Sequence, residues 1–212
     1  MQSIMILNGG RIQQSASTPM ALTISLVKEL RINAFAVMNV SILNLTAGNV
    51  YIDVSAVLTA HARGFSSGLG REPGVSSTSS ASGAGHGGAG GRGAGQPTVG
   101  KAYGILDKPT DPGSGGGQGF KDMPGSAGGG VMMITSKGTV QNDGLIDVSA
   151  ASASFEGTGG GSGGSIYIRC DVFTGKGQFL ANGGKVASSS INTDGGGGGG
   201  GHIAIHLSNI PI

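Results

Sequence analysis

Three times in this chain a glycine run leads straight into an alternating apolar stretch: "GGGVMMIT" (128–135), "GSGGSIYIR" (161–169) and "GGGGGGGHIAIHL" (195–207). Glycine loses more backbone freedom on folding than any other residue. Such runs are therefore either flexible linkers or segments held in a conformation that side chains forbid. Linkers mix in Ser, Glu and Lys and lie between domains. These runs lie inside a repeating pattern and return the chain to a strand each time, which favours ordered segments over mobile loops. Glycine supplies 45 of the 212 residues, with only three in residues 1–63, nineteen in 83–130 and nineteen in 131–212.

The glycine-poor part reads as short strands. Val40 and Ile42, then Leu43 and Leu45, then Val50, Ile52 and Val54 alternate with polar neighbours, the period of a half-buried strand. Asn33, Asn39, Asn44 and Asn49 recur every five or six residues and read as corners between strands. In the second half Val131, Ile166 and Ile203 each open a strand after glycine, 35 and 37 positions apart, and second strands follow within 136–150 and 173–184. A fixed period in the thirties marks stacked repeats. The element "IDVSA" occurs at 52–56 and again at 146–150.

These patterns predict an all-β fold, a parallel β-helix or β-solenoid-like stack with glycine-rich polyproline II tracts. Residues 1–63 would form strand-rich coils, 64–130 a glycine-rich insertion and 131–212 further repeats with glycine tracts, all in one continuous domain. Polyproline II has three residues per turn. The triplets "GHG GAG GRG" (85–93) would then place His86, Ala89 and Arg92 on one face and glycine on the other two. Side-chain-free faces let such helices pack through backbone contacts. Collagen is excluded, because the Gly-X-Y period is not sustained and Pro is rare.

Several function classes are disfavoured. Net charge is +2, Trp is absent, Tyr occurs three times and no Lys/Arg run exists, so the basic stripe and stacking platforms of nucleic-acid binders are missing. No apolar run approaches the ~18 residues of a membrane span. The single cysteine, Cys170, excludes an internal disulfide and reads first as a small buried hydrophobe, second as an intermolecular bridge or catalytic thiol.

Candidate chemistry is sparse. Asn39 ("NVS") and Asn44 ("NLT") are N-glycosylation acceptors if the chain is secreted, although one or two such triplets arise by chance in a chain this long. Asp53 and Asp147 share the "IDVSA" element. Paired acids can serve glycoside chemistry, but caps for turn amides are the simpler role. His202 and His206 in "HIAIH" share a strand face, yet a metal clip needs a third ligand. His61, His86 and the lone acid of "NTDGGGGGG" add no constellation. No catalytic, cofactor-binding or metal-ligating residue is assigned, and no cofactor or enzyme activity is expected.

The ordered series "IDVSA", "GHGGAGGRG", "DPGSGGG", "GGGVMMI", "GTVQNDGLIDVSA", "GGGSGGSIYI", "FTGKGQFLANGG" and "GGGGGGGHIAI", from about Ile52 to Leu207, resembles the glycine-rich repeat regions of very large extracellular and cell-surface proteins of plants, algae, protists and bacteria. Similar stretches occur in algal flagellar-hair (mastigoneme) proteins. The resemblance implies a β-helix-like module of a secreted or surface-attached chain, with no catalytic residues. Proteins of that kind carry signal peptides and cysteine-rich modules, so this chain is expected to be a segment of something longer. The expected function is a structural module of an extracellular filament, appendage or surface layer, whose partners are identical or similar repeats stacked end to end. Pro211 would stop strand pairing only at the last step. The alternative is a glycan-binding or adhesin module; an ice-binding surface and a polysaccharide-active β-helix rank lower.

Overall fold

A computed structural model describes residues 2–15, 19–96, 98–187 and 194–208. Among them the chain forms fifteen strands in three parallel sheets of five, and the expected parallel β-helix is observed. The first coil comprises β1 (Ser3–Ile6), β2 (Arg11–Gln13) and β3 (Ala21–Ser25); the second β4 (Glu29–Ile32), β5 (Val37–Asn39) and β6 (Ile42–Ala47). The third contains β7 (Asn49–Ile52), β8 (Val57–Thr59) and β9 (Val131–Ser136). The fourth contains β10 (Thr139–Asn142), β11 (Leu145–Asp147) and β12 (Ser165–Cys170), and the fifth β13 (Val172–Thr174), β14 (Gln178–Leu180) and β15 (His202–Leu207). Each strand pairs with its equivalent in the next coil, in the sheet orders β1-β4-β7-β10-β13, β2-β5-β8-β11-β14 and β3-β6-β9-β12-β15.

The core follows from this register. Strand side chains alternate in direction, so like positions stack into inward columns. One column runs Leu22, Leu43, Met132, Ile166, Ile203. Another runs Ile12, Met38, Leu58, Ile146, Phe179. Leu43, Met132, Ile166, Met38, Leu58 and Ile146 are fully buried. A bare coil takes 20 residues, as the pairing of Leu30 with Val50 shows. The period in the thirties is such a coil plus a glycine excursion, and it drifts: Ile166 pairs with Met132 rather than Val131, and with Ile203.

The corner from the first sheet to the second is a recurring tight turn. Gly10, Ala36 and Ala56 donate their N–H to Leu7, Asn33 and Asp53. The residue before each of these donors is left-handed, with φ 72° at Gly9, 61° at Phe35 and 64° at Ser55. Asn33, Asn39 and Asn49 lie at strand ends as expected, but Asn44 lies inside β6. It alternates with the buried Leu43 and Leu45, on the side of β6 away from their inward column. The two "IDVSA" elements are not equivalent either. Ile52 ends a first-sheet strand, whereas Ile146 lies in a second-sheet strand and pairs with Leu58. The Ile is buried in both copies, but the first runs into the tight turn closed by Ala56 on Asp53, whereas the second leads from β11 into the glycine excursion at 148–164.

All three long glycine excursions leave from the second sheet and return to the third, at 60–130, 148–164 and 181–201. Together they build an array beside the β-helix whose hydrogen bonds step by three residues. Gly160 and Gly163 N–H donate to Gly196 and Gly199; Gly196 and Gly199 donate to Ala81 and Ala84. Ser126 and Gly129 donate to Gly159 and Ser162. In the antiparallel sense Gly159 and Ser162 donate to Gly117 and Ser114, and Gly198 and Gly201 donate to Gly184 and Ala181. A three-residue step is the signature of a threefold helix, and none of these glycines uses a left-handed φ. The tracts are therefore laterally bonded polyproline II segments.

Segment 159–164 lies at the centre, and all its polar backbone groups are satisfied. Its six amides reach Gly117, Gly196, the Ser126 hydroxyl, Ser114, Gly199 and Val148 in order. Its six carbonyls accept from Ser126, Ala84, Gly184, Gly129, the His86 ring and His202. This accounting explains the composition. A Cβ on Gly164 would strike the Gly130 carbonyl, and one on Gly163 the Ala181 carbonyl. The triplet run at 85–93 departs from expectation. The chain reverses at His86, whose N–H bonds to Gly88, and Gly83 bonds to Gly91 across the hairpin. His86 is buried while Ala89 and Arg92 are exposed, so the three do not share a face.

The array predicts opposite outcomes for chemically identical changes. Gly164→Ala forces a methyl into a carbonyl and should cost several kcal/mol, as overpacked sites do. Gly197→Ala and Gly200→Ala, whose added methyls meet no atom closer than 3.7 and 3.8 Å, should be neutral or slightly stabilising, because they restrict the unfolded chain. Urea unfolding of the three variants measures the difference.

Candidate functional site

Where the glycine array meets the third sheet, the insertion brings together residues far apart in sequence. His86 is fully buried and its Nδ1 lies 2.6 Å from the Gly163 carbonyl. A carbonyl only accepts, so Nδ1 carries the proton and Nε2 presents a bare lone pair. That Nε2 is buried with no hydrogen-bond partner. The His202 ring packs edge-on against it at 4.8 Å and 89°, and the Tyr103 ring lies 4.6 Å away at 31°. His202 Nε2 donates to the Tyr103 carbonyl at 2.9 Å. Gly104, at φ 96°, passes over both imidazoles; an added Cβ would sit 2.9 Å from His202 Nε2 and 3.3 Å from His86 Nε2.

Tyr103 joins this cluster to a cleft. Its hydroxyl donates to the Pro112 carbonyl at 2.6 Å and contacts the Ser114 hydroxyl at 2.9 Å. Burial pushes its pKa above the ordinary value, opposed by the bond to Ser114. The Arg71 guanidinium lies 5.6 Å from the ring centroid and 3.5 Å from the Asp111 carboxylate. Phe65, Leu69, Gly70, Arg71, Tyr103, Asp111 and Pro112 bound a cavity of about 470 Å³. The array positions these walls. Phe65 donates to Gly113, Gly115 donates to Leu69, and the Asp111 carbonyl accepts from the Ser165 hydroxyl at 2.6 Å. Gly70, at φ 117°, lies so close to Ser114 that an added Cβ would meet its hydroxyl oxygen at 2.5 Å.

The residues singled out in the sequence lie elsewhere, apart from His86 and His202. The Asn39 side chain accepts from Arg63 at 3.2 Å, and the Asn44 side-chain oxygen is buried without a partner. Val40 and Ser41 separate their strands, so the two sequons stand on different sheets. Asp147 caps the Ser149 amide at 2.8 Å and stands 3.8 Å from His61, while Asp53 faces Arg31 at 3.7 Å. His206 faces Asp107 at 3.3 Å. Cys170 is buried in the core, where burial pushes its thiol up. Among the described residues no group of three or more His, Cys, Asp or Glu could hold a metal ion. Pro211 lies outside the described residues.

Sequence reasoning missed Arg71, Tyr103 and Asp111, which stand up to 40 residues apart in a stretch without periodicity. The one legible signal was an aromatic residue next to glycine, "YG" at 103–104. No protein-family model, no curated protein and no solved structure matches the chain.

Burial holds the His86 pKa at about 4, below its ordinary 6.5, with the Gly163 carbonyl and Asp111 opposing the shift and His202 adding to it. The folded state thus keeps the neutral ring, and its contribution is whole above pH 6.5. Stability should fall as the pH drops from about 6.5 to about 4, where the unfolded chain takes up a proton that the folded chain refuses. The loss is on the order of 3 kcal/mol by pH 4. In His86→Gln, whose amide can donate to Gly163 without titrating, this part of the pH dependence should vanish. Urea unfolding at pH 7 and pH 4.5 measures it.

Proposed function

We propose that this chain is a non-enzymatic structural module of an extracellular filament, appendage or cell-surface layer, which associates end to end with identical or similar repeats. The observation that carries the reading is the state of the two terminal coils. In the last coil the core-facing Ile203, Ile205 and Leu207 are 45%, 37% and 44% exposed, and in the first Ile12 is 37% exposed. Their equivalents in the middle coils, among them Met132, Ile134, Ile166, Ile168 and Met38, are buried. Strands β1–β3 and β13–β15 each have one pairing edge open among the described residues. Open edges over apolar columns are templates for further strand addition. One end differs from the other, so the contact is head to tail and need not close. The N-glycosylation acceptors Asn39 and Asn44 belong to this secreted reading.

Glycan binding, as an adhesin or wall-anchoring module, is a second reading, and the Tyr103 cleft is the observation that favours it.

End-to-end stacking predicts concentration-dependent assembly into filaments visible by electron microscopy. Ile205→Lys places a charge on the open end and should shift the assembly midpoint upward by about tenfold or more, while leaving the β-sheet circular dichroism signal in place. A chain that stays monomeric by light scattering at high concentration would contradict the reading.

A further inference from the structure

We propose that the cleft bounded by Phe65, Leu69, Gly70, Arg71, Tyr103, Asp111 and Pro112 binds a neutral pyranose unit of a polysaccharide. The inference rests on the glycan-binding reading and assigns its site and its ligand class. The cavity, about 470 Å³, lies within the range of small-ligand sites. Its apolar wall comes from an aromatic pair, a leucine and a proline, and its polar groups are one guanidinium and one carboxylate 3.5 Å apart. This chemistry discriminates among ligands. An anion drawn to Arg71 meets the Asp111 carboxylate; a cation drawn to Asp111 meets the guanidinium. A wholly apolar molecule would strip water from both charges and return no hydrogen bond.

A pyranose satisfies every wall. Its C–H face is apolar and packs on aromatic and proline rings. Each hydroxyl both accepts and donates, so adjacent hydroxyls can accept from the planar guanidinium fork and donate to the carboxylate. Hydrogen bonds to charged partners are the stronger ones. The pair is placed for exchange with a ligand, since the Arg71 side chain is mostly exposed and its contact with Asp111 is long for a charged hydrogen bond. Rigidity lowers the cost of binding, and here the walls are tied down. Tyr103 is held at its hydroxyl by Pro112 and Ser114, at its amide by His86 and at its carbonyl by His202. Leu69 is fixed by the Gly115 amide, and the Ser114 hydroxyl accepts from the Glu72 amide.

The test is an NMR titration of the full chain with four neutral tetrasaccharides (cellotetraose, laminaritetraose, mannotetraose, xylotetraose) and one acidic one, tetragalacturonate. The expected result is saturable binding of at least one neutral sugar, with shifts centred on the amides of Gly70, Arg71 and Tyr103. Arg71→Ala and Leu69→Ala should each weaken it by about tenfold. Leu69 is exposed, so its variant decides the matter if Arg71→Ala proves unfolded. Neutral-sugar binding that both variants leave unchanged would overturn the cleft and spare the glycan-binding reading. Binding of tetragalacturonate alone would overturn the ligand class. No binding of any of the five would sink the cleft and the glycan-binding reading together.

Discussion

The structure depends on lateral backbone hydrogen bonding between polyproline II segments that have no side chains at the contact. A polyproline II helix makes no internal hydrogen bonds, so packing several of them away from water would leave many unpaired amides and carbonyls, each costly to bury. The array meets this demand by lending each segment's donors to its neighbours. Segment 159–164 shares its twelve polar backbone groups among the surrounding tracts, a strand corner and the imidazole of His86. The arrangement works only where carbonyls can approach where a Cβ would stand. Glycine's entropy cost is offset by this complete pairing.

Much of the fold was legible because strand register obeys simple periodicity. The inward positions Leu43, Leu45, Ile166 and Ile168 follow from alternation, whereas counting from the glycine run points to Val131 and the structure pairs Met132 with Ile166. The glycine tracts announced their conformation through their density and their place before strands. What periodicity could not carry was equivalence between repeats. "IDVSA" sits on different sheets in its two copies, because a buried Ile suits either strand and the residues after it turn in one copy and enter a glycine excursion in the other. The hairpin at His86 was also hidden: triplet spacing is compatible with a straight helix, and only the bonds of Gly83 with Gly91 and of His86 with Gly88 show the reversal.

The cleft was the least legible part, for a physical reason. Its walls are fixed by tertiary backbone bonds from the array rather than by local sequence, so Arg71, Tyr103 and Asp111 carry no spacing rule. An irregular insertion would normally be mobile, since a loop this long has little of its own to bury. Here glycine tracts from two later excursions embrace it: Ala81 and Ala84 accept from Gly196 and Gly199, and Gly117 and Ser114 accept from Gly159 and Ser162. The third sheet and the array together hold the aromatic cluster of His86, Tyr103 and His202 against the β-helix. Side-chain chemistry is thereby concentrated on a scaffold that is mostly backbone.

Native-state amide hydrogen exchange tests this account most directly. If the tracts are a cooperative part of the fold, the amides of Gly159, Gly160, Ser162 and Gly163 should exchange as slowly as those of the buried strand β12, with opening energies near that of global unfolding. Exchange of these amides within seconds, at the rate of an unstructured glycine chain while β12 stays protected, would show that the tracts are linkers and that the array does not hold the molecule together.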